Sequence, residues 1–214
     1  IRESGGKGLL VIQKDVEEKI REDHDLPSFV ELAHHNSLRG RDDFKDVSCL
    51  IVVGRTAPTP ETVEKLAGAL SGSDRVLTKP GDWYGKATHL VTAANGSRTT
   101  LDVDRHPDAL VESVRAAICE DELMQIIGRA RGVNRNLNNR VDVIVVGNVP
   151  VPMPVELIEP YENPTLDDQV FGEHGVYLES AGDTAKLLGR DASAVRHSRL
   201  KSSRPRDYGA MAAR

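Results

Sequence analysis

Apolar and polar positions along the chain alternate between two periods. Residues 8–13 (GLLVIQ) form a continuous apolar run of the length of a buried strand, and residues 29–34 (FVELAH) alternate like a second strand. Residues 47–53 (VSCLIVV) are apolar enough to be buried on both faces of a sheet. Between the first two runs, residues 15–20 read as a helix with acids in its first turn. Thr59, Pro60 and Glu61 open another, with Pro60 suited to the first helical position and Val63, Leu66, Ala67 and Leu70 as its apolar stripe. Apolar strands separated by helices predict a parallel sheet with helical crossovers.

The character changes over residues 71–108, where Gly, Pro, Thr, Trp83 and Tyr84 are frequent. Residues 87–92 and 98–103 read as strands joined across Asn95-Gly96, which predicts an antiparallel hairpin inserted outside the main sheet. From Pro107 the helical period returns, with Leu110, Val111, Val114, Ala117 and Ile118 on one face and a second helix from Glu120 to about Ala130. Residues 140–146 predict a last core strand, followed by Gly147, Asn148 and a proline-rich exit through Pro150, Pro152 and Pro154. This organisation predicts a main domain over 1–155, with an insert at about 71–108, and an extension over 156–214 made of a loop-like stretch followed by a short helical pair at 180–201.

Composition narrows the class. Apolar residues are 39% and charged residues 29% of the 214, a globular balance with no apolar run long enough for a membrane span. The first residue is Ile1 and no signal peptide follows, so the chain reads as a piece of something longer. Two cysteines without a pairing pattern, Cys49 and Cys119, fit a reducing, cytoplasmic setting. The net charge of −5 is unevenly spread: residues 186–214 carry +6 on an otherwise acidic chain, which points to an anionic partner or to a solvated terminus.

Candidate chemistry concentrates in residues 125–132 (QIIGRARG). Residues 123–141 hold Arg129, Arg131, Arg135 and Arg140 and no acid. Guanidinium groups at a helix end offer fixed N–H donors to a phosphate, and Gly128 lets a backbone approach closely. The pattern Q-x-x-G-R-x-R resembles motif VI of superfamily 2 helicases and translocases, although Gly132 stands where the commoner form of the motif has its second Arg, and Arg131 precedes it. Arg39-Gly40-Arg41-Asp42, ahead of the strand at 48–53, is similar to the R-G-x-D of motif V, and residues 8–14 look like the opening of the second RecA-like domain around motif IV.

The resemblance covers about residues 5–150. It implies a RecA-like, mainly parallel sheet with helices on both faces, forming the C-terminal lobe of an ATP-dependent DNA or RNA motor, with DNA favoured. Arg129 and Arg131 would act on the γ-phosphate of ATP, with Gly40, Asp42, Gln125 and Gly128 beside the nucleotide and Arg39 and His35 toward nucleic acid. The 214 residues contain no G-x-x-x-x-G-K-[ST] loop and no D-E-x-[HD] acid pair, so ATP and Mg²⁺ would be held mainly by an N-terminal lobe missing from this chain, which alone would be inactive. The alternative is an accessory nucleic-acid-binding module with a degenerate lobe of this kind.

Other candidates are weaker. His34 and His35, adjacent on a strand, point to opposite faces and cannot share a metal. No G-x-S-x-G elbow is present. Trp83 and Tyr84, near Lys79 and Lys86, could stack on unpaired bases or anchor a satellite core. Residues 183–196 resemble a helix-turn-helix with Ala185, Leu188, Val195 and Leu200 inside. Arg196, Arg199, Lys201, Arg204 and Arg206 would then contact phosphate; the other reading is a helical hairpin packed on a larger body.

Overall fold

The structure, a computed structural model, describes residues 6–159 and 161–201, the side chains of Leu200 and Lys201 excepted. Ser4, Gly5, Arg204 and Arg206 lie outside the described residues. The chain divides into two compact units between Glu159 and Pro160, four residues past the boundary expected at 155.

The first unit is mixed α/β. Its main sheet contains β1 (Gly8–Ile12), β2 (Val30–His34), β3 (Cys49–Val53) and β6 (Asp142–Val146), all parallel, in the order β2-β1-β3-β6. Parallel neighbours need crossovers, which α1 (Lys14–Asp23), α2 (Pro60–Ser71) and α3 (Ala109–Arg129) supply. The register sets Leu9 beside Leu50 and Val11 beside Val52, and these four fully buried side chains make one face of the core. Leu38, Phe44 and Val47 from the segment after β2 and Leu123, Ile126 and Ile127 of α3 close over it. Ile12 and Leu32 are buried on the alternate positions, and α1 lies beside β2, its Arg21 donating to the Leu32 carbonyl at 2.8 Å.

The insert is an antiparallel hairpin of β4 (Gly85–Thr92) and β5 (Arg98–Arg105), paired only with itself. Trp83 and Tyr84 anchor a satellite core: Tyr84 packs with Val63, Ala67 and Val111, while Trp83 meets the Tyr84 ring edge-on and donates to Asp104 at 3.0 Å. Asp104 also pairs with Lys86 and Arg55, so the Lys86 charge is directed inward.

Three expectations are corrected. The helices expected at about 107–118 and 120–130 are one helix, α3, capped by Asp108, whose carboxylate accepts from Leu110 and Val111 N–H. The apolar stripe changes partner midway, from the α2 satellite core to the sheet, and no breaker interrupts the backbone. In α2, Leu66 and Leu70 are exposed, Leu70 by 68%, and Glu64 is buried instead. One Glu64 oxygen accepts from Leu77 N–H, Thr78 N–H, the Thr78 hydroxyl and His106 Nε2 at 2.7–3.1 Å, which replaces the water it lost. Finally, β6 is an edge strand with Ile144 48% exposed, not a core strand.

The second unit holds α4 (Leu166–His174), α5 (Ala181–Leu188) and α6 (Ala192–Lys201) around Leu166, Ala185 and Val195. The pair expected at 180–201 is present. The segment after residue 156, expected as loop, instead contains α4, which begins with a reciprocal Thr165–Asp168 capping box that the sequence reading missed.

Candidate functional site

The segment between β2 and β3 starts at the carboxyl end of one parallel strand and must return to the amino end of the next. It therefore runs the length of the sheet, and α3 returns the same way beside it. Asn36 and Arg39 sit on Glu122 of α3: Asn36 N–H donates to Oε1 at 3.1 Å and Arg39 Nη2 to Oε2 at 3.0 Å. The Glu122 side chain is only 4% exposed and is the hub joining the two segments, a role sequence reading missed. Farther along, Gly40 takes φ +73, a left-handed turn that a side chain would strain even though nothing crowds its Cβ. Arg41 stacks over Phe44 at 4.6 Å.

The turn delivers Asp42 to Arg131, whose Nη2 donates to the carboxylate at 2.7 Å across 89 positions of sequence. The Arg131 hydrogen bond and charge hold the Asp42 carboxyl below its ordinary range, with Arg129 and Lys45 adding to the effect. The pair is open to solvent, its side chains 68% and 42% exposed. Arg129 ends α3 half-buried and makes no side-chain hydrogen bond or ion pair among the described residues. Gln125 and Gly128 are exposed on the same last turns of α3, opposite the buried Leu123, Ile126 and Ile127. A Cβ on Gly128 would meet nothing within 4 Å, so no part of this unit explains the glycine by close packing.

Arg135 has a different role. It donates to the carbonyls of Lys45, Val47 and Ala130 at 2.5–3.1 Å, tying the loop after α3 to the start of β3. Arg140 is exposed. The four-arginine cluster thus separates into a fastener (Arg135), a paired group (Arg131) and two without a side-chain bond among the described residues, half-buried Arg129 and exposed Arg140. Among the described non-glycine residues, Asn36 (φ 68) and Arg131 (φ 49) have positive φ, and both flank this arrangement; such backbone cost gathers where surroundings hold a side chain in a required place.

At the carboxyl ends of β1, β2 and β3 an open crevice of about 450 Å³ is lined by Gln13, Lys14, His34, His35, Asn36, Thr56, Ala57 and Pro58. It lies between β1 and β3, where the chain's connections diverge, the place where open parallel sheets take ligands. His35 lines it but is not free: the residue is 5% exposed and its Nε2 donates to the Val53 carbonyl at 3.0 Å, so it fastens the end of β2 to that of β3. His34 Nδ1 faces Glu17 at 2.5 Å. Burial raises the Glu17 pKa, yet hydrogen bonds from Arg21 and His34 leave it lowered overall. Of the lining residues Gln13, Lys14 and Asn36 are exposed polar ones, and the Asn36 amide donates to the hydroxyl of half-buried Thr56 at 3.3 Å.

The remaining candidates resolve quickly. Arg196 is exposed on α6. Arg199 faces inward, bonded to Asp167, Thr184 and the carbonyls of Leu178 and Glu179, which corrects its expected part in phosphate contact. Lys201 ends α6, its side chain outside those described. Both cysteines are free and buried, and burial pushes their thiols up, away from nucleophilic use. Among the described residues no cluster of three His, Cys, Asp or Glu could hold a metal, and no helix is long and apolar enough to cross a membrane. No family model, curated protein or solved structure matches this chain.

Proposed function

We propose that the first unit is a RecA-like second lobe of a nucleic-acid-dependent ATPase, a DNA helicase or translocase, which completes an ATP site from one side. The observation that carries this reading is the convergence of two distant stretches, Arg39–Asp42 and Gln125–Arg131, on one ion pair with an unpaired arginine beside it. Each stretch resembles a helicase motif by itself. In that family both stretches serve the nucleotide, and the Asp42–Arg131 contact between them supports the reading.

Arg129 is the group suited to transition-state charge. Its guanidinium makes no hydrogen bond or ion pair among the described residues, and it sits on a helix end pinned by the buried Leu123, Ile126 and Ile127. Arg131 is held by Asp42 and would exchange that exposed carboxylate for phosphate oxygen, a cheap exchange because solvent-exposed pairs are weak. ATP supplies the phosphoryl group. Its Mg²⁺ would be carried by a partner lobe, since the described acids offer no cluster for it. The crevice at the strand ends would hold the nucleic-acid backbone through Lys14, Asn36 and Thr56. Because the segment after β2 runs from Asn36 in that crevice to Asp42 at the arginines, movement at one end reaches the other.

The test is nucleic-acid-stimulated ATP hydrolysis by the full-length protein. Arg129→Ala should abolish stimulated turnover and leave ATP binding largely intact. Unchanged turnover would remove Arg129 from the site and favour the accessory-module reading.

A further inference from the structure

α5 and α6 are joined by only Gly189, Arg190 and Asp191. Gly189 takes φ +60 as the left-handed cap of α5, a turn that a side chain would strain. Asp191 then caps α6, its Oδ1 accepting from Ser193 N–H at 2.8 Å and Ala194 N–H at 3.2 Å. The small Ala185, 4% exposed, sits in the core they share with Val195, and α4 supplies Leu166 as the third side of that core. Two helices joined by a three-residue turn that contains glycine are what a helix-turn-helix needs.

We infer that α5–α6 is a helix-turn-helix that reads duplex DNA, with α6 in the major groove. The two faces of α6 divide the work. Val195 and Arg199 face inward: Arg199 spends its charge on Asp167, Thr184 and two carbonyls, which locks α6 to α4 and α5. Ser193, Arg196 and His197 lie on the outward arc, all exposed, and Arg196 and His197 make no side-chain hydrogen bond among the described residues. The arc carries no acid, because the one carboxylate of this segment, Asp191, is used in the cap. Charge is segregated to match. Acids gather from α4 to the first turn of α5 (Asp167, Asp168, Glu173, Glu179, Asp183), whereas Lys186, Arg190 and Arg196 follow, with Asp191 the one acid among them. A helix fits the major groove of about 12 Å width, and guanidinium, imidazole and hydroxyl groups reach base edges and phosphates there.

The test uses the whole chain, without ATP, against a library of duplexes with a random central stretch. Selection should enrich one recurrent sequence, bound more weakly as salt rises. Arg196→Ala and His197→Ala should each weaken binding to the enriched duplex by about tenfold or more, with an unchanged melting temperature, because both are surface positions. Arg199→Ala should lower the melting temperature of the second unit and lose binding with it. The inference is overturned if no sequence is enriched, if the matching single strand binds as tightly, or if Arg196→Glu leaves duplex binding intact. Arg129→Ala should not affect this binding, so failure here is distinct from failure of the ATPase reading.

Discussion

Replacing Glu122 with alanine probes the joint between the turn that carries Asp42 and the helix that carries the arginines. Glu122 accepts one backbone N–H, from Asn36, and one guanidinium, from Arg39. Hydrogen bonds to a buried charge contribute about 1.5–3 kcal/mol each. The Arg39 bond is discounted to about 1 kcal/mol at most, since its side chain is 67% exposed and screened by solvent. Asn36 is held at φ 68, a conformation that disfavours non-glycine residues by about 1 kcal/mol, so loss of its anchor also frees the turn to relax. Glu122→Ala should therefore destabilise the first unit by about 2–4 kcal/mol, a fall in Tm of about 5–15 °C for a unit of this size, and Arg39→Ala by about 1 kcal/mol or less. Trp83, the only tryptophan, lies in this unit, so urea unfolding followed by its fluorescence reads the unit directly. A loss under about 0.5 kcal/mol for Glu122→Ala, or equal losses for both variants, would refute the assignment of Glu122 as the hub.

Three further outcomes follow from the same geometry. Gly128→Ala should stabilise the unit by about 0.5–1 kcal/mol in urea unfolding, since alanine favours a helix and its Cβ meets nothing; if the face binds nucleotide, the same variant should weaken ATP-dependent turnover in the full-length protein. Asp42→Ala and Arg131→Ala should each change stability by less than about 1 kcal/mol, because the pair is exposed, and chemical denaturation that showed more would mean the pair supports the fold. Glu64 and Asp104 have folded pKa values below their ordinary ones: burial raises both, but for Glu64 the bonds from Thr78 and His106, and for Asp104 those from Lys86 and Trp83, outweigh it. Depressed carboxylates stabilise the fold fully above the unfolded carboxylate range, near pH 4–4.5, and lose that contribution as pH falls through their lower folded values. Thermal melts should thus hold a plateau above about pH 5 and decline below it, with a shallower decline in Glu64→Gln; a Tm flat down to pH 3.5 would contradict this.

Much of the local architecture was legible along the chain. The central parallel strands β1 and β3 show as short apolar runs because both of their faces are largely covered, and the hairpin as alternation around Asn95-Gly96. Thr59 marks a helix start because its side-chain oxygen satisfies an otherwise unpaired N–H; Asp108 and Thr165 do the same in the structure, but their starts were not read from the sequence. The two stretches carrying the candidate chemistry, around Asp42 and Arg129, were legible as well, since each depends on neighbours a few residues apart.

What only the tertiary structure decided is which partner each charged group found. Four arginines of one cluster look alike in sequence, yet Arg135 fastens backbone, Arg131 holds Asp42 and Arg129 stays open. Arg196 and Arg199, three residues apart and so neighbours on one helix, differ in surroundings: Arg196 is exposed, whereas Arg199 is hydrogen-bonded into the unit. Glu64 and Glu122 read as surface acids until burial gave them four and two hydrogen bonds. Hydrophobic period sets which elements form and which face is inward, because burial of apolar surface is additive and local in pattern. Pairing of charges depends on distances of a few ångströms between residues up to 89 positions apart, which only the packed sheet and helices bring about.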